Sequence, residues 1–198
     1  NFKTVMNIGI VGQGFVGNAI YQKFKNYFKV FTYDLSKDKC NATQEEVFTQ
    51  KIIFVCLPTP MNLDGSCNVE LVEETVKGIA KIGKSKIVVI KSTVSPGTTA
   101  RLNSLYPNLH IVFNPEFLTE VNAVEDFNNQ NRIILGGPRP ATTKLKTLYR
   151  KAFPQAHIVK TGSTHAEMVK YVTNTFLATK VAYANEIYEI CEGLKLDY

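Results

Sequence analysis

A glycine-rich turn between a strand and a helix constrains the fold of this chain more than any other feature. Gly12-Gln13-Gly14-Phe15-Val16-Gly17 follows the β-branched run Val5–Val11 and opens an amphipathic segment. In this context Gly12 permits a tight turn, Gly14 lets a phosphate approach the backbone, and Gly17 lets the helix pack closely on the strand. The free N–H groups at the start of the helix favour an anion. The pattern therefore predicts a dinucleotide-binding βαβ unit.

Asp34 stands at the end of the next β-branched run, close to the spacing of about 20 residues at which an acid binds the adenosine ribose of a dinucleotide. A carboxylate at this position accepts both ribose hydroxyls and repels a 2′-phosphate, so we expect NAD rather than NADP. Asp34 could instead be a turn residue. The cofactor contacts expected in this unit are Gly12, Gly14, Phe15, Val16, Gly17 and Asp34.

Short β-branched runs alternate with helix-like segments along the chain. The predicted strands are Val5–Val11, Phe28–Tyr33, Ile52–Cys56, Lys86–Lys91, Leu109–Phe113, Arg132–Leu135 and His157–Val159. The predicted helices are Phe15–Lys25, Val69–Lys81, Thr98–Leu105 and Ala141–Lys151. This alternation predicts an α/β fold of the Rossmann type, in which a doubly wound, mostly parallel sheet is covered by helices on both faces.

The last segment is different, because from Thr164 it is predicted to form one helix that runs nearly to Glu192. Thr164 and Glu167 have the spacing of a capping box. The helix is longer than a crossover in a compact sheet domain requires. We therefore expect a Rossmann domain over residues 1–161 and, over 162–198, a long helix that begins a second domain for dimerisation or substrate binding. Its exposed apolar face predicts a homodimer.

Composition limits the classes of partner and the cell compartments that the sequence is compatible with. The net charge of +6 suits an anionic ligand, but the lysines are spread along the chain without a basic block, so we expect no nucleic acid. No apolar stretch approaches the ~20 residues of a membrane span, and the N-terminus lacks a clear signal-peptide cleavage site. The cysteines show no metal-binding spacing, so we expect reduced thiols, no metal site and a cytoplasmic protein. They are Cys40, Cys56, Cys67 and Cys191.

Four further segments follow the glycine motif in a characteristic order. They are Val55-Cys56-Leu57-Pro58-Thr59-Pro60, Lys91-Ser92-Thr93-Val94-Ser95-Pro96-Gly97-Thr98-Thr99, Asn114-Pro115-Glu116-Phe117-Leu118-Thr119-Glu120 and Ala166-Glu167-Met168-Val169-Lys170-Tyr171-Val172-Thr173-Asn174. Together they resemble the UDP-glucose/GDP-mannose dehydrogenase family over the whole chain, and the Asn-Pro-Glu segment is the most specific. The resemblance implies NAD-dependent oxidation of a nucleotide sugar, UDP-glucose or similar, from the C6 alcohol to a carboxylate.

The resemblance also implies particular cofactor contacts. Thr59 and Thr93 are expected beside the cofactor, Lys39 near its adenosine ribose and Glu120 near the nicotinamide. Alternatives remain for the threonines, because Thr59 could simply shape a proline-rich loop. Thr93, like the neighbouring serines Ser92 and Ser95, could cap the helix that follows Pro96.

The catalytic group implied by the resemblance consists of two glutamates, a lysine and an asparagine, with Thr93 beside them. Glu120 and Glu116 would activate or hold a water as general base. Glu116 could instead lie in the first turn of a short helix and interact with its dipole. The substrate contacts implied are Phe117, Leu118, Glu120, Lys170 and Asn174.

Lys170 and Asn174 are four residues apart, so they share one face of the long helix. Oxidation of an alcohol builds negative charge on its oxygen, and in the family a lysine and an asparagine stabilise that charge. The alternative is an ordinary exposed polar pair on a solvated helix.

The family completes its reaction with a cysteine nucleophile in a G-x-G-G-x-C-x-P-K-D segment, which this sequence does not contain. We therefore expect that this chain by itself does not convert the alcohol to the acid. A β-hydroxyacid dehydrogenase is a second enzyme hypothesis, although that family has a glycine-rich loop where this chain has residues 114–120. A non-catalytic NAD-binding module is a third, but it would have no use for Glu120, Lys170 and Asn174 together.

Overall fold

The structure, a computed structural model, describes residues 6–198. Its strands are β1 (Asn7–Val11), β2 (Lys29–Tyr33), β3 (Ile52–Val55), β4 (Lys86–Ile90), β5 (Leu109–Phe113), β6 (Arg132–Gly136) and β7 (His157–Thr161). Its helices are α1 (Phe15–Phe24), α2 (Gln44–Thr49), α3 (Glu70–Ile82), α4 (Thr98–Leu105), α5 (Ala123–Asn129), α6 (Arg139–Ala152) and α7 (Ser163–Leu194). Each predicted strand is present, with ends that differ by at most two residues. Val5, the predicted start of the first strand, lies outside the described residues.

The strands form one sheet in the order β2-β1-β3-β4-β5-β6-β7. Neighbours are parallel except β5 and β6, which meet antiparallel at Phe113 and Gly136. The expected Rossmann-type sheet is thus confirmed. Because β1 lies between β2 and β3, the chain crosses to the other side of the sheet after β2. Ligands of such sheets bind at that switch point, outside the carboxyl ends of the strands.

Alternating residues of each central strand pack on opposite faces of the sheet. In β3, for example, Phe54 belongs to one hydrophobic core, whereas Ile53 and Val55 belong to the other. Aromatic rings fill the first core around Phe24, whose ring meets that of Phe54 edge-on at 5.6 Å. Burial on both faces explains why the strands are nearly continuous apolar runs.

Two helices, α2 and α5, are absent from the sequence-based prediction. Helix α2 is capped by Thr43, whose hydroxyl accepts the N–H of Glu46, while the Glu46 carboxylate accepts the N–H of Thr43. This capping box is a sequence signal that predicts the helix start. Helix α5 has no such side-chain cap. It is a short segment that is held by burial of Ala123 and Phe127, so only packing reveals it.

The predicted capping box of the last helix is wrong. Helix α7 begins at Ser163 after Gly162, without a side-chain cap. The Glu167 side chain is fully buried and instead accepts the N–H of Gly97 at 2.6 Å and of Thr99 at 2.8 Å. These N–H groups belong to the start of α4, whose own cap residue is a glycine and offers no oxygen. A distant carboxylate therefore supplies the acceptor that the start of α4 lacks.

Helix α7 is 32 residues long and is buried only near its start. Beyond Lys170 most of its apolar side chains are exposed, including Phe176, Val181 and Tyr183. The region after residue 170 therefore presents an apolar surface that the described chain does not cover. None of the helices within residues 6–198 combines the length and the apolar character that crossing a bilayer requires.

Candidate functional site

The glycine turn has the backbone geometry that close approach to a ligand requires. Gly12 has a positive φ of 89°, and a Cβ there would lie 2.3 Å from the carbonyl oxygen of Cys56. At Gly17 a Cβ would lie 1.9 Å from the carbonyl oxygen of Gly12. A Cβ added at Gly14 would have no neighbouring atom within 4 Å. Only glycine thus fits the first and third positions, and open space lies in front of the second.

Helix α1 begins at this open space. Gly14 is its cap residue, no side chain accepts the first N–H groups, and no acid lies in the first turn. These N–H groups carry the positive end of the helix dipole. The arrangement fits a pyrophosphate held at the amino end of the helix.

Asp34 lies beside the turn and is tied to it. Its carboxylate accepts the Gln13 N–H at 2.6 Å and the Ser36 N–H at 2.9 Å, so it also organises the turn after β2. Burial raises the pKa of Asp34, but these two hydrogen bonds and the charge of Lys39 outweigh burial and hold the pKa below its ordinary value. A carboxylate has about four lone-pair sites, so it can still accept ribose hydroxyls.

An open cleft of about 640 Å³ is lined by Gln13 and Cys40, which both hydrogen-bond with Asp34. Gln13, Gly14 and Phe15 line one side, and the exposed side chain of Lys39 lies on the other. The cleft brings together the glycine turn and the lysine that the resemblance places near the adenosine ribose.

A smaller pocket of about 190 Å³ continues from Gly14 along the ends of the central strands. Val16 lies on its α1 side, and Thr59, Thr93 and Glu116 lie opposite. The Thr59 hydroxyl donates to the Thr93 carbonyl oxygen at 2.7 Å, which joins the loops after β3 and β4. The structure thus brings both predicted threonines to the pocket that follows the glycine turn.

The suggestion that Thr93, Ser92 or Ser95 caps the next helix is wrong. Helix α4 starts after Gly97 and has no side-chain cap, because Glu167 occupies that position. Ser92 instead accepts the N–H of Leu57 at 2.9 Å.

Lys170 and Glu116 form a nearly buried ion pair. The Lys170 Nζ lies 2.8 Å from Glu116 Oε1 and also donates to the Glu116 carbonyl oxygen at 2.6 Å. The exposed fractions of the two side chains are 6% and 10%. Glu116 lies in a loop, so the alternative of a first-turn residue in a short helix is wrong. A solvated Lys170–Asn174 pair is equally excluded, because Lys170 is buried against Glu116.

The remaining predicted residues are more dispersed. Asn174 is exposed and lines a third pocket of about 250 Å³ together with Thr59, Thr93 and Tyr171. Glu120 is exposed on a neighbouring cleft, which it shares with Phe15. The structure therefore does not bring Glu120 into the pocket of Thr93 and Glu116.

Phe117 and Leu118 are partly buried against the two hydrophobic cores. The Phe117 ring centroid lies 5.6 Å from the Lys170 ammonium. The Leu118 N–H donates to Glu116 Oε2 at 2.8 Å. Both residues thus help to hold the Lys170–Glu116 pair in place.

A buried polar cluster behind this pocket was missed at the sequence level. Lys91, which is 3% exposed, donates to Asn114 Oδ1 at 3.1 Å and to the Pro115 carbonyl oxygen at 3.5 Å. The Tyr149 hydroxyl donates to the same Asn114 oxygen. Burial raises the pKa of the nearby Cys56 thiol to about 12, so the thiol is neutral. A lysine that directly continues a buried apolar strand is the one sequence signal that could have drawn attention to this cluster.

The parallel sheet, with the glycine turn after β1 and an acid, Asp34, after β2, is the arrangement of an NAD-binding Rossmann domain. Residues 40–153 match the NAD binding domain of the UDP-glucose/GDP-mannose dehydrogenase family, and residues 164–198 match its central domain. The first match alone covers more than half of the chain, so the chain belongs to this family. The expected family and cofactor, NAD, are confirmed.

Similar proteins agree with this assignment. UDP-glucose 6-dehydrogenase YwqF of Bacillus subtilis is 38% identical over an alignment of 155 residues that covers 74% of this chain and 35% of that protein. UDP-glucose 6-dehydrogenase of Rickettsia bellii is 33% identical over an alignment of 179 residues that covers 85% of this chain and 41% of that protein. The structure of a UDP-glucose dehydrogenase from the hyperthermophilic archaeon Pyrobaculum islandicum matches with a TM-score of 0.83 and 26% identity, over 100% of this chain and 58% of that one. The chain therefore spans less than two thirds of the length of these relatives.

Proposed function

We propose that the chain supplies the NAD-binding part of an enzyme that oxidises the C6 alcohol of a nucleotide sugar, UDP-glucose or a close analogue, to a carboxylate by two hydride transfers. The observation that carries this proposal is the nearly buried Lys170–Glu116 pair, whose Glu116 borders the pocket that continues from the glycine turn. The relatives named as UDP-glucose 6-dehydrogenases support the substrate class.

Lys170 and Asn174 stabilise the charge that develops on the reacting alcohol oxygen. An ammonium has three N–H donors, and the Glu116 carboxylate and carbonyl oxygens accept two of them. The third is free to meet a substrate oxygen. Asn174 follows one helical turn later and adds an amide donor at the pocket of Thr59 and Thr93. Donors fixed before the reaction stabilise the developing charge without a reorganisation cost.

Glu116 is the better placed of the two glutamates to hold a water. Its two carboxylate oxygens are oriented by Lys170 and by the Leu118 N–H, and it borders the same pocket as Thr93. A carboxylate held in this way can accept a proton from a bound water. Glu120 approaches the cofactor from the α1 side, which the shared wall residue Phe15 supports.

The wider organisation belongs to the same proposal. Residues 1–161 form the NAD-binding domain, and residues 162–198 begin a second domain. Its exposed apolar helix face pairs with a second copy of the chain, because such a face is costly to leave in water. The four cysteines are free, which is typical of a reducing compartment and supports a cytoplasmic location.

The test is nucleotide-sugar-dependent NADH formation by the protein that the complete reading frame encodes. Loss of the ammonium in Lys170→Met should lower kcat by about a hundredfold, the typical effect of removing one preorganised donor. NADH binding should change little. Lys180→Met, an exposed lysine of the same helix, is the matched control and should keep full activity. Equal turnover in both variants, or no turnover with any nucleotide sugar, would refute the proposal.

A further inference from the structure

Lys91 is a buried cation at the wall of the pocket that continues from the glycine turn. It directly follows β4 and lines this pocket with Gly14, Thr59 and Glu116. Two of its three N–H donors are directed to Asn114 and Pro115. A lysine that only anchored a loop would not need to be buried at the wall of this pocket.

The charges that face Lys91 do not cancel it. Glu116 is the nearby anion, and it is already paired with Lys170 at 2.8 Å. Burial holds both the Cys56 thiol and the Tyr149 hydroxyl in their neutral forms by raising their pKa values. Two lysines, Lys91 and Lys170, thus face a single carboxylate in this group, which leaves one positive charge unbalanced.

The pocket of Lys91 lies where the nicotinamide end of the cofactor belongs. Gly14 is common to this pocket and to the cleft beside Asp34 and Lys39. A dinucleotide whose ribose meets Asp34 and whose pyrophosphate meets Gly14 extends its other end towards Lys91. The cleft and the pocket together are called the NAD groove, and this placement of the cofactor rests on the proposed function.

We propose that Lys91 makes the site discriminate between the two redox states of the cofactor, favouring NADH over NAD⁺. The oxidised ring is a cation and is repelled by the ammonium, whereas the reduced ring is neutral. A hydride that leaves the alcohol carbon for the ring cancels the ring charge, and the alcohol proton departs separately. A fixed cation at this position therefore favours hydride acceptance.

The direct test compares dissociation constants for NAD⁺ and NADH. Lys91→Gln keeps a donor towards Asn114 and removes the charge, so the ratio of Kd for NAD⁺ to Kd for NADH should fall about tenfold, as expected for two unit charges in a partly buried site. Lys39→Gln removes a cation at the adenosine end and should change both constants by the same factor. Calorimetric titration of the 198-residue chain measures both.

The outcomes distinguish the role of Lys91 from the existence of the NAD groove itself. An unchanged ratio in Lys91→Gln, with Lys39→Gln weakening both ligands, would overturn the role of Lys91 and leave the NAD groove intact. Failure of the unaltered chain to bind either form would instead refute the assigned groove.

A second measurement uses the unaltered chain and does not depend on a variant that folds. Burial lowers the pKa of Lys91 to about 8, although Glu116 and Cys56 oppose the shift and Lys170 adds to it. The preference for NADH should therefore be present at neutral pH and disappear as the pH rises through about 8. In Lys91→Arg it should persist, because a guanidinium stays charged. A ratio that is independent of pH in the unaltered chain would overturn the proposal.

Discussion

Removal of the Glu167 carboxylate should destabilise the chain, because this side chain joins α7 to the start of α4. Glu167→Ala deletes the acceptor for the N–H groups of Gly97 and Thr99, which lie at 2.6 and 2.8 Å. Thr99 is fully buried, so its N–H would lose its partner without gaining water. Gly97 is partly exposed and can recover a bond to solvent.

The magnitude follows from these two donors. An unsatisfied buried donor costs roughly 1–3 kcal/mol, and a partly exposed one costs less. We expect the free energy of unfolding to fall by about 2–4 kcal/mol, a large share of the 5–15 kcal/mol that is typical of a domain. Because Glu167 lines none of the pockets described above, the Kd for NADH should change by less than about twofold under conditions in which the variant is folded.

Urea denaturation followed by circular dichroism measures the effect. Glu189→Ala makes the same substitution at an exposed position of the same helix and should alter stability by less than about 0.5 kcal/mol. Glu167→Gln keeps one acceptor oxygen and should fall between the two. If Glu167→Ala and Glu189→Ala unfold at the same urea concentration, the cross-helix cap contributes nothing and the reasoning is wrong.

Three further predictions concern the glycine turn and the ribose acid. Asp34→Ala should weaken NADH binding about tenfold and reduce the discrimination against NADPH, which titration with both ligands measures. Equal affinity of the unaltered chain for NADH and NADPH would contradict this role of Asp34. Gly17→Ala should abolish NAD binding or folding, because its Cβ would overlap the Gly12 carbonyl oxygen, and retained binding with an unchanged melting temperature would be the opposing result. Asp34 should also add acid sensitivity. The pKa of Asp34 is depressed in the folded chain, so its contribution to the free energy of unfolding is complete above the ordinary pKa of 3.8. That contribution is lost as the pH falls through the pKa of the folded state. Asp34→Asn should therefore flatten the decline of melting temperature in acid, and parallel curves would oppose this reasoning.

Much of the fold follows from local sequence patterns. Short apolar runs between the helix-like segments predict each strand of the sheet, because a strand that is buried on both faces needs continuous hydrophobic residues. Gly12 and Gly17 are predictable because no other residue fits a tight turn with this close packing. The preference for NAD over NADP is predicted from one further residue, Asp34, at a known spacing. The short helix α2 could also have been predicted from the sequence, because Thr43 and Glu46 have the spacing of a capping box.

The partners of the buried charges were decided by the tertiary structure. Lys170 pairs with Glu116 across 54 residues, and Glu167 reaches Gly97 across 70. Local spacing paired them instead with Asn174 and Thr164, their neighbours on the same helix. Sequence by itself therefore determined the strands, the glycine turn and the cofactor, all of which depend on short-range geometry. Which carboxylate meets which cation depended on the folded sheet, because a buried charge takes the partner that packing brings within hydrogen-bond distance.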